Sequence, residues 1–148
     1  MIRQSEKITA LYCRLAHYHN EPMDHSIAQN QMDALSRYAE THGLPNPRFF
    51  CDWGFSGTSR KRPEYQRMLR LIKQRKVSNL VVWDMSRLTR SFTVCGKLLE
   101  TVLPRYGVTL HSIKDHFVYT PQEMNELAAK SKALYSCFQQ EQRRGGQR

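Results

Sequence analysis

Acidic residues are scarce: 13 Asp and Glu stand against 23 Lys and Arg in 148 residues, leaving a net charge of +10. Such a balance disfavours a basic or neutral partner and points to a polyanion, nucleic acid first. Paired cysteines are also missing. Cys13, Cys51, Cys95 and Cys137 lie far apart with no Cys-x-x-Cys, which excludes the usual zinc-ribbon and dithiol motifs. No apolar run reaches membrane length and no secretory leader is legible, so a reduced, cytoplasmic protein is expected. His17, His19 and His25 fit no standard zinc spacing and read as a polar loop; no metal and no small-molecule cofactor is expected. The length suits one domain with a real core.

What is present is an alternation of strand and helix signals. It predicts an α/β fold with a central, mostly parallel sheet of four to five strands flanked by helices, and a long C-terminal helix. The first strand spans residues 7–13 and is followed by the polar loop 17–25. A helix over 26–41 is predicted to start at Ser26 as N-cap and stop at Gly43, with Leu35, Tyr38 and Ala39 inward. The second strand, 48–52, leads into the turn Gly54-Phe55-Ser56-Gly57-Thr58-Ser59 and the basic run Arg60-Lys61-Arg62. Pro63 then suits the first turn of a helix carrying Tyr65, Met68, Leu69 and Ile72.

A third strand, 80–83 with its approach from Val77, is apolar enough to be central. A polar segment, 84–90, follows it. A helix over 91–103 leads through Pro104 and Gly107 to a fourth strand, 108–113. Thr120-Pro121-Gln122-Glu123 is a capping box that opens the last helix, expected to run to about residue 143 with Met124, Leu127, Ala128, Leu134, Cys137 and Phe138 as its apolar stripe.

In open α/β sheets the binding crevice lies beyond the carboxyl ends of the strands. Here those ends carry Arg14, then Ser56 and Arg62, then Ser86, Arg87 and Arg90. Converging guanidinium groups and hydroxyls, without a carboxylate cluster for a metal, suit a phosphate on which negative charge develops. Arg60, Lys61 and Arg62 are the expected DNA-binding run. For Ser56 a plain turn role is the competing reading, and for Arg87 and Arg90 a solvated helical pair.

Tyr12-Cys13-Arg14-Leu15, Asn30-Gln31, Asp52 to Thr58, Arg62-Pro63, Asp84 to Arg90 and Gly107-Val108 occur in an order and at spacings that resemble the catalytic domain of the serine recombinases, the resolvase and invertase family, and most closely its large, transposon-type branch. The resemblance spans about residues 7–113. It implies DNA as substrate, attack of a serine on the phosphodiester to give a 5′-phosphoserine link and a free 3′-hydroxyl, no metal, and exchange of strands in a tetramer assembled from dimers. Carried over by residue, it implies Arg14, Arg62, Arg87 and Arg90 around the scissile phosphate. Gln31 and Ser56 would assist, Gln29 being the alternative register for Gln31, and Ser86 stands where many relatives have aspartate.

Two departures matter. The family serine falls on Ala16, which has no nucleophilic atom, so the chain as written is expected to be inactive. Cys13 is no substitute, because strand alternation sets it opposite Arg14 and Ala16. Relatives continue through a Glu-Arg pair into DNA-binding domains, whereas here Gln140-Glu141-Gln142-Arg143 is followed by a Gly- and Arg-rich end. The expected layout is a resolvase-type catalytic domain over 1–118, a C-terminal helix suited to dimerisation over 119–142, and a disordered tail over 143–148. A non-catalytic DNA-binding or assembly module derived from a recombinase is the alternative; a basic α/β domain of unrelated function is a third.

Overall fold

A computed structural model describes residues 2–126. Five strands form one sheet in the order β2-β1-β3-β4-β5. They are β1 (Ile8–Leu15), β2 (Pro47–Trp53), β3 (Val77–Val82), β4 (Thr109–Ser112) and β5 (Phe117–Tyr119). The first four are mutually parallel and β5 is antiparallel to β4. The mostly parallel α/β fold read from the sequence is the fold observed. β1 and β3 are buried almost end to end, as central strands covered on both faces must be.

Side-chain alternation sorts the core into two layers. Ala10, Tyr12, Phe50, Leu80, Val82 and Leu110 pack with Tyr65, Met68, Ile72, Leu98 and Leu103. Leu11, Cys13 and Val81 pack on the other face with Leu35 and Ala39. Cys13 therefore does lie opposite the side of β1 that carries Tyr12.

The helices depart from the sequence reading in instructive ways. α1 spans Pro22–Thr41 and begins a full turn before Ser26. Pro22 occupies the first turn, and Asp24 takes the backbone N–H groups of His19 and Glu21, so the carboxylate outcompetes the serine as a start signal. Ser26 instead donates back to the Pro22 carbonyl. α2 spans Pro63–Lys73 as expected.

The polar segment after β3 contains a four-residue helix, α3 (Met85–Leu88). The helix expected over 91–103 is α4 (Phe92–Lys97), a π-helical turn over Leu98–Val102 and α5 (Leu103–Arg105). Pro104 has no N–H to return to the carbonyl four residues back, and the Leu103 N–H reaches Leu98 O, five residues back. β1 runs two residues further than predicted, to Leu15, and β4 is shorter at both ends.

The three-residue β5, unlocated in the sequence, completes the sheet through a turn with His116 at φ 54°. The capping box at Thr120 and Glu123 forms, residues 121–126 are helical, and Met124 is buried in the layer that holds Tyr65, Met68, Leu98 and Leu103. The rest of the predicted C-terminal helix, its stripe from Leu127 to Phe138, and the tail lie outside the described residues.

Candidate active site

The site is built where β1, β2 and β3 end. Arg14 is the penultimate residue of β1 and is fully buried on the Tyr12 side. Its guanidinium donates from Nε to Arg87 O (2.9 Å), from Nη1 to Phe55 O (3.0 Å) and from Nη2 to Ser86 O (2.5 Å). Burial pulls its pKa below the usual arginine value. One side chain thus clamps the loop after β2 to the segment after β3, and its donors are turned to backbone carbonyls rather than outward.

Gly57 shows how close these segments come. A Cβ there would lie 2.9 Å from Arg90 Cγ, 3.0 Å from Arg14 Nη2 and 3.2 Å from Ser86 O. Only glycine lets the loop pass. Ser56 is exposed and shares a 3.0 Å hydrogen bond with the Thr58 hydroxyl, which is the local turn chemistry.

Arg62 is also a buried organiser. Its Nη1 donates to Leu88 O (2.6 Å) and to the Tyr12 hydroxyl (3.2 Å), its Nε to Ser59 O (3.2 Å), and its guanidinium carbon sits 3.9 Å from the Tyr65 ring centroid. The Tyr12 hydroxyl donates to Asp52 (2.8 Å), and burial holds the phenol well above its usual range. Asp52, itself buried, accepts the backbone N–H groups of Glu64 (3.0 Å) and Tyr65 (2.9 Å), capping α2 from a neighbouring strand. Arg60 and Lys61, by contrast, are exposed.

Gln31 is buried on α1 and brackets the end of β1: its Oε1 accepts from Arg14 N (2.9 Å) and its Nε2 donates to Arg14 O (3.3 Å). Gln29 is exposed and pairs with Asp33 within the helix. Of the two registers, Gln31 is the one beside Arg14. Ala16 is half-buried in the bend immediately after β1.

Around α3, Asp84 accepts from the Ser86 hydroxyl (2.5 Å) and the Arg87 N–H (3.2 Å). Arg87 Nη1 donates to Arg14 O (3.3 Å), while its buried Nε has no acceptor among the described residues. Arg90 is exposed, and its guanidinium makes no hydrogen bond among the described residues. The expected cluster is therefore assembled but divided. Arg14 and Arg62 hold loops, whereas Arg87 and Arg90 retain donors to offer. A cavity of about 460 Å³ between α2 and α4 adjoins it, lined by Arg60, Arg62, Lys73 and Lys97 and by no carboxylate among the described residues.

Sequence reasoning placed Tyr12, Asp52, Gly57 and Asp84 in motifs but gave none of them a role. An aspartate two residues before the glycine turn, at the foot of a proline-started helix, was the signal for the cap.

The profile of the family described as "Resolvase, N terminal domain" matches residues 9–148. No curated protein matches. Among solved structures, the chain is similar to the N-terminal catalytic domain of TP901-1 integrase, at 24% identity and a TM-score of 0.73 over 93% of this chain and 99% of that one. It is similar to a resolvase family site-specific recombinase from Streptococcus pneumoniae, at 21% identity and a TM-score of 0.68, over 93% and 91%. A serine recombinase from Sulfolobus solfataricus shows 26% identity and a TM-score of 0.57, over 73% and 68%. These likenesses show the fold.

Proposed function

The chain belongs to the resolvase N-terminal domain family, and on that premise we propose that its strand ends form the phosphodiester pocket of a DNA recombination domain that has lost its nucleophile. The juxtaposition of Gly57, after β2, with Arg14 at the end of β1 and Ser86 and Arg90 after β3 is the observation that carries this reading. Arg87 and Arg90 contact the phosphate oxygens, as guanidinium groups with donors to offer do best. Arg14 and Arg62 act as positioning residues, fixing the loops that present those two. Gln31 holds the end of strand β1 just before position 16, and Ser56 and Ser86 lie beside the pocket. Arg60 and Lys61 contact flanking phosphates.

A serine hydroxyl at position 16 would attack phosphorus, form the 5′-phosphoserine link and release the 3′-hydroxyl. The alanine methyl has no electron pair to give, so this copy holds the phosphodiester without opening it. Residues 1–118 carry the pocket and residues 119–142 pair copies into a dimer, with a tetramer at synapsis, in the cytoplasm. Ala16 also supports a second reading, in which the chain binds and assembles on DNA without any cutting role.

Duplex binding tests the pocket. The chain should bind duplex weakly and without sequence preference, with affinity falling steeply as salt rises. Arg90→Ala should keep the fold, weaken binding and lower the log–log salt slope by about one. Failure of the unaltered chain to bind at low salt contradicts the proposal.

A further inference from the structure

Cys13 and Cys51 stand directly opposite each other in the parallel β1–β2 register. Both belong to the layer under α1, among Leu11, Leu35, Ala39 and Val81, on the face away from the Arg14 clamp. Adjacent strands lie roughly 4.7–4.9 Å apart, within the approximately 4.4–6.8 Å between Cα atoms that a disulfide spans. The thiols act on one another. The contact with Cys51 is the largest influence raising the Cys13 thiol, and the same contact lowers that of Cys51. Access follows the same division, since Cys13 is fully buried and Cys51 half-buried. Cys51 is thus the thiol of the pair that is lowered and that meets solvent, with Cys13 behind it.

We propose that Cys13 and Cys51 are an oxidisable pair that forms a reversible disulfide across β1 and β2, with a low-molecular-weight disulfide as oxidant. The Cys51 thiolate attacks the oxidant, forming a mixed disulfide and expelling one thiolate. Cys13 then attacks the Cys51 sulfur, its proton passing to the second thiolate as that group is expelled. Two protein S–H groups become one S–S bond, and the oxidant's S–S bond becomes two S–H groups. The bond ties β1 to β2 one residue before Arg14 and one before Asp52, so it braces the two strands that hold the loop clamp and the cap of α2.

The test uses the full chain, reduced and then held folded in glutathione disulfide, alkylated and digested without reduction. The expected product is a Cys13–Cys51 peptide pair lighter by two hydrogens, unchanged by Cys95→Ala and Cys137→Ala, and reversed by excess glutathione. A glutathione adduct on Cys51 that never resolves, or bridges only to Cys95 or Cys137, overturns the proposal. Phenylarsine oxide, which needs neighbouring thiols, supplies a check that depends on no variant. It should bind one per chain and protect Cys13 and Cys51 together from maleimide, and absence of that protection overturns the proposal as well.

Discussion

Arg14 and Arg90 read alike in the sequence, as arginines near strand ends, and the fold gives them opposite work. Arg14 spends its donors on the carbonyls of Phe55, Ser86 and Arg87, whereas Arg90 is exposed. Arg14→Ala leaves buried carbonyls unpaired and should destabilise the fold by about 3 kcal/mol or more, seen as a lowered urea midpoint. Arg90→Ala should stay within about 0.5 kcal/mol of the parent in the same measurement. Equal effects of the two changes would contradict this division. The residue types at the site were legible because arginine beside a short polar turn is a local pattern. Their division was not, because the partners of Arg14 lie 41 to 73 residues away in sequence.

The elements show the same split between local and distant signals. The apolar runs of β1 and β3 and the proline start of α2 were readable, since each depends on neighbours in sequence. The start of α1 was misplaced by a turn because Ser26 and Asp24 both offer caps, and only the chain path decides which is used. The N-terminus of α2 takes its cap from β2, so Asp52→Asn should cost about 1–2 kcal/mol and loosen the first turn of α2, measurable by amide exchange at Glu64 and Tyr65. Unchanged exchange there would count against the cap.

Between α1 and the far side of the sheet, His111 is buried with Nδ1 at the Tyr38 hydroxyl (2.8 Å) and Nε2 at Asn79 Oδ1 (2.9 Å). Burial, reinforced by His42, pulls its pKa from 6.5 to about 4. The folded imidazole therefore stays neutral in a range where the unfolded one takes up a proton. Its share of stability is intact above pH 6.5 and is lost as pH falls towards 4, by at most about 3 kcal/mol. Urea unfolding at pH 7 and pH 5 should show the loss, and His111→Gln should shrink the difference; an undiminished difference would assign it to other groups.

At the scale of the whole molecule, a net charge of +10, a cation-lined cavity and a pocket at the strand ends all favour a polyanion. The parallel architecture was legible from the alternation of elements, and the family from motifs in order. The edge strand β5 was not located, because three residues carry too little pattern to separate a strand from a loop.

The central claim is that this pocket lacks only its attacking atom. Ala16→Ser tests it most directly, in a chain joined to a DNA-binding domain and offered duplex bearing that domain's site. Denaturing electrophoresis should then show a covalent protein–DNA adduct whose phosphoserine maps to position 16, with none from the alanine chain. Duplex binding by both forms with no adduct from either would contradict the claim.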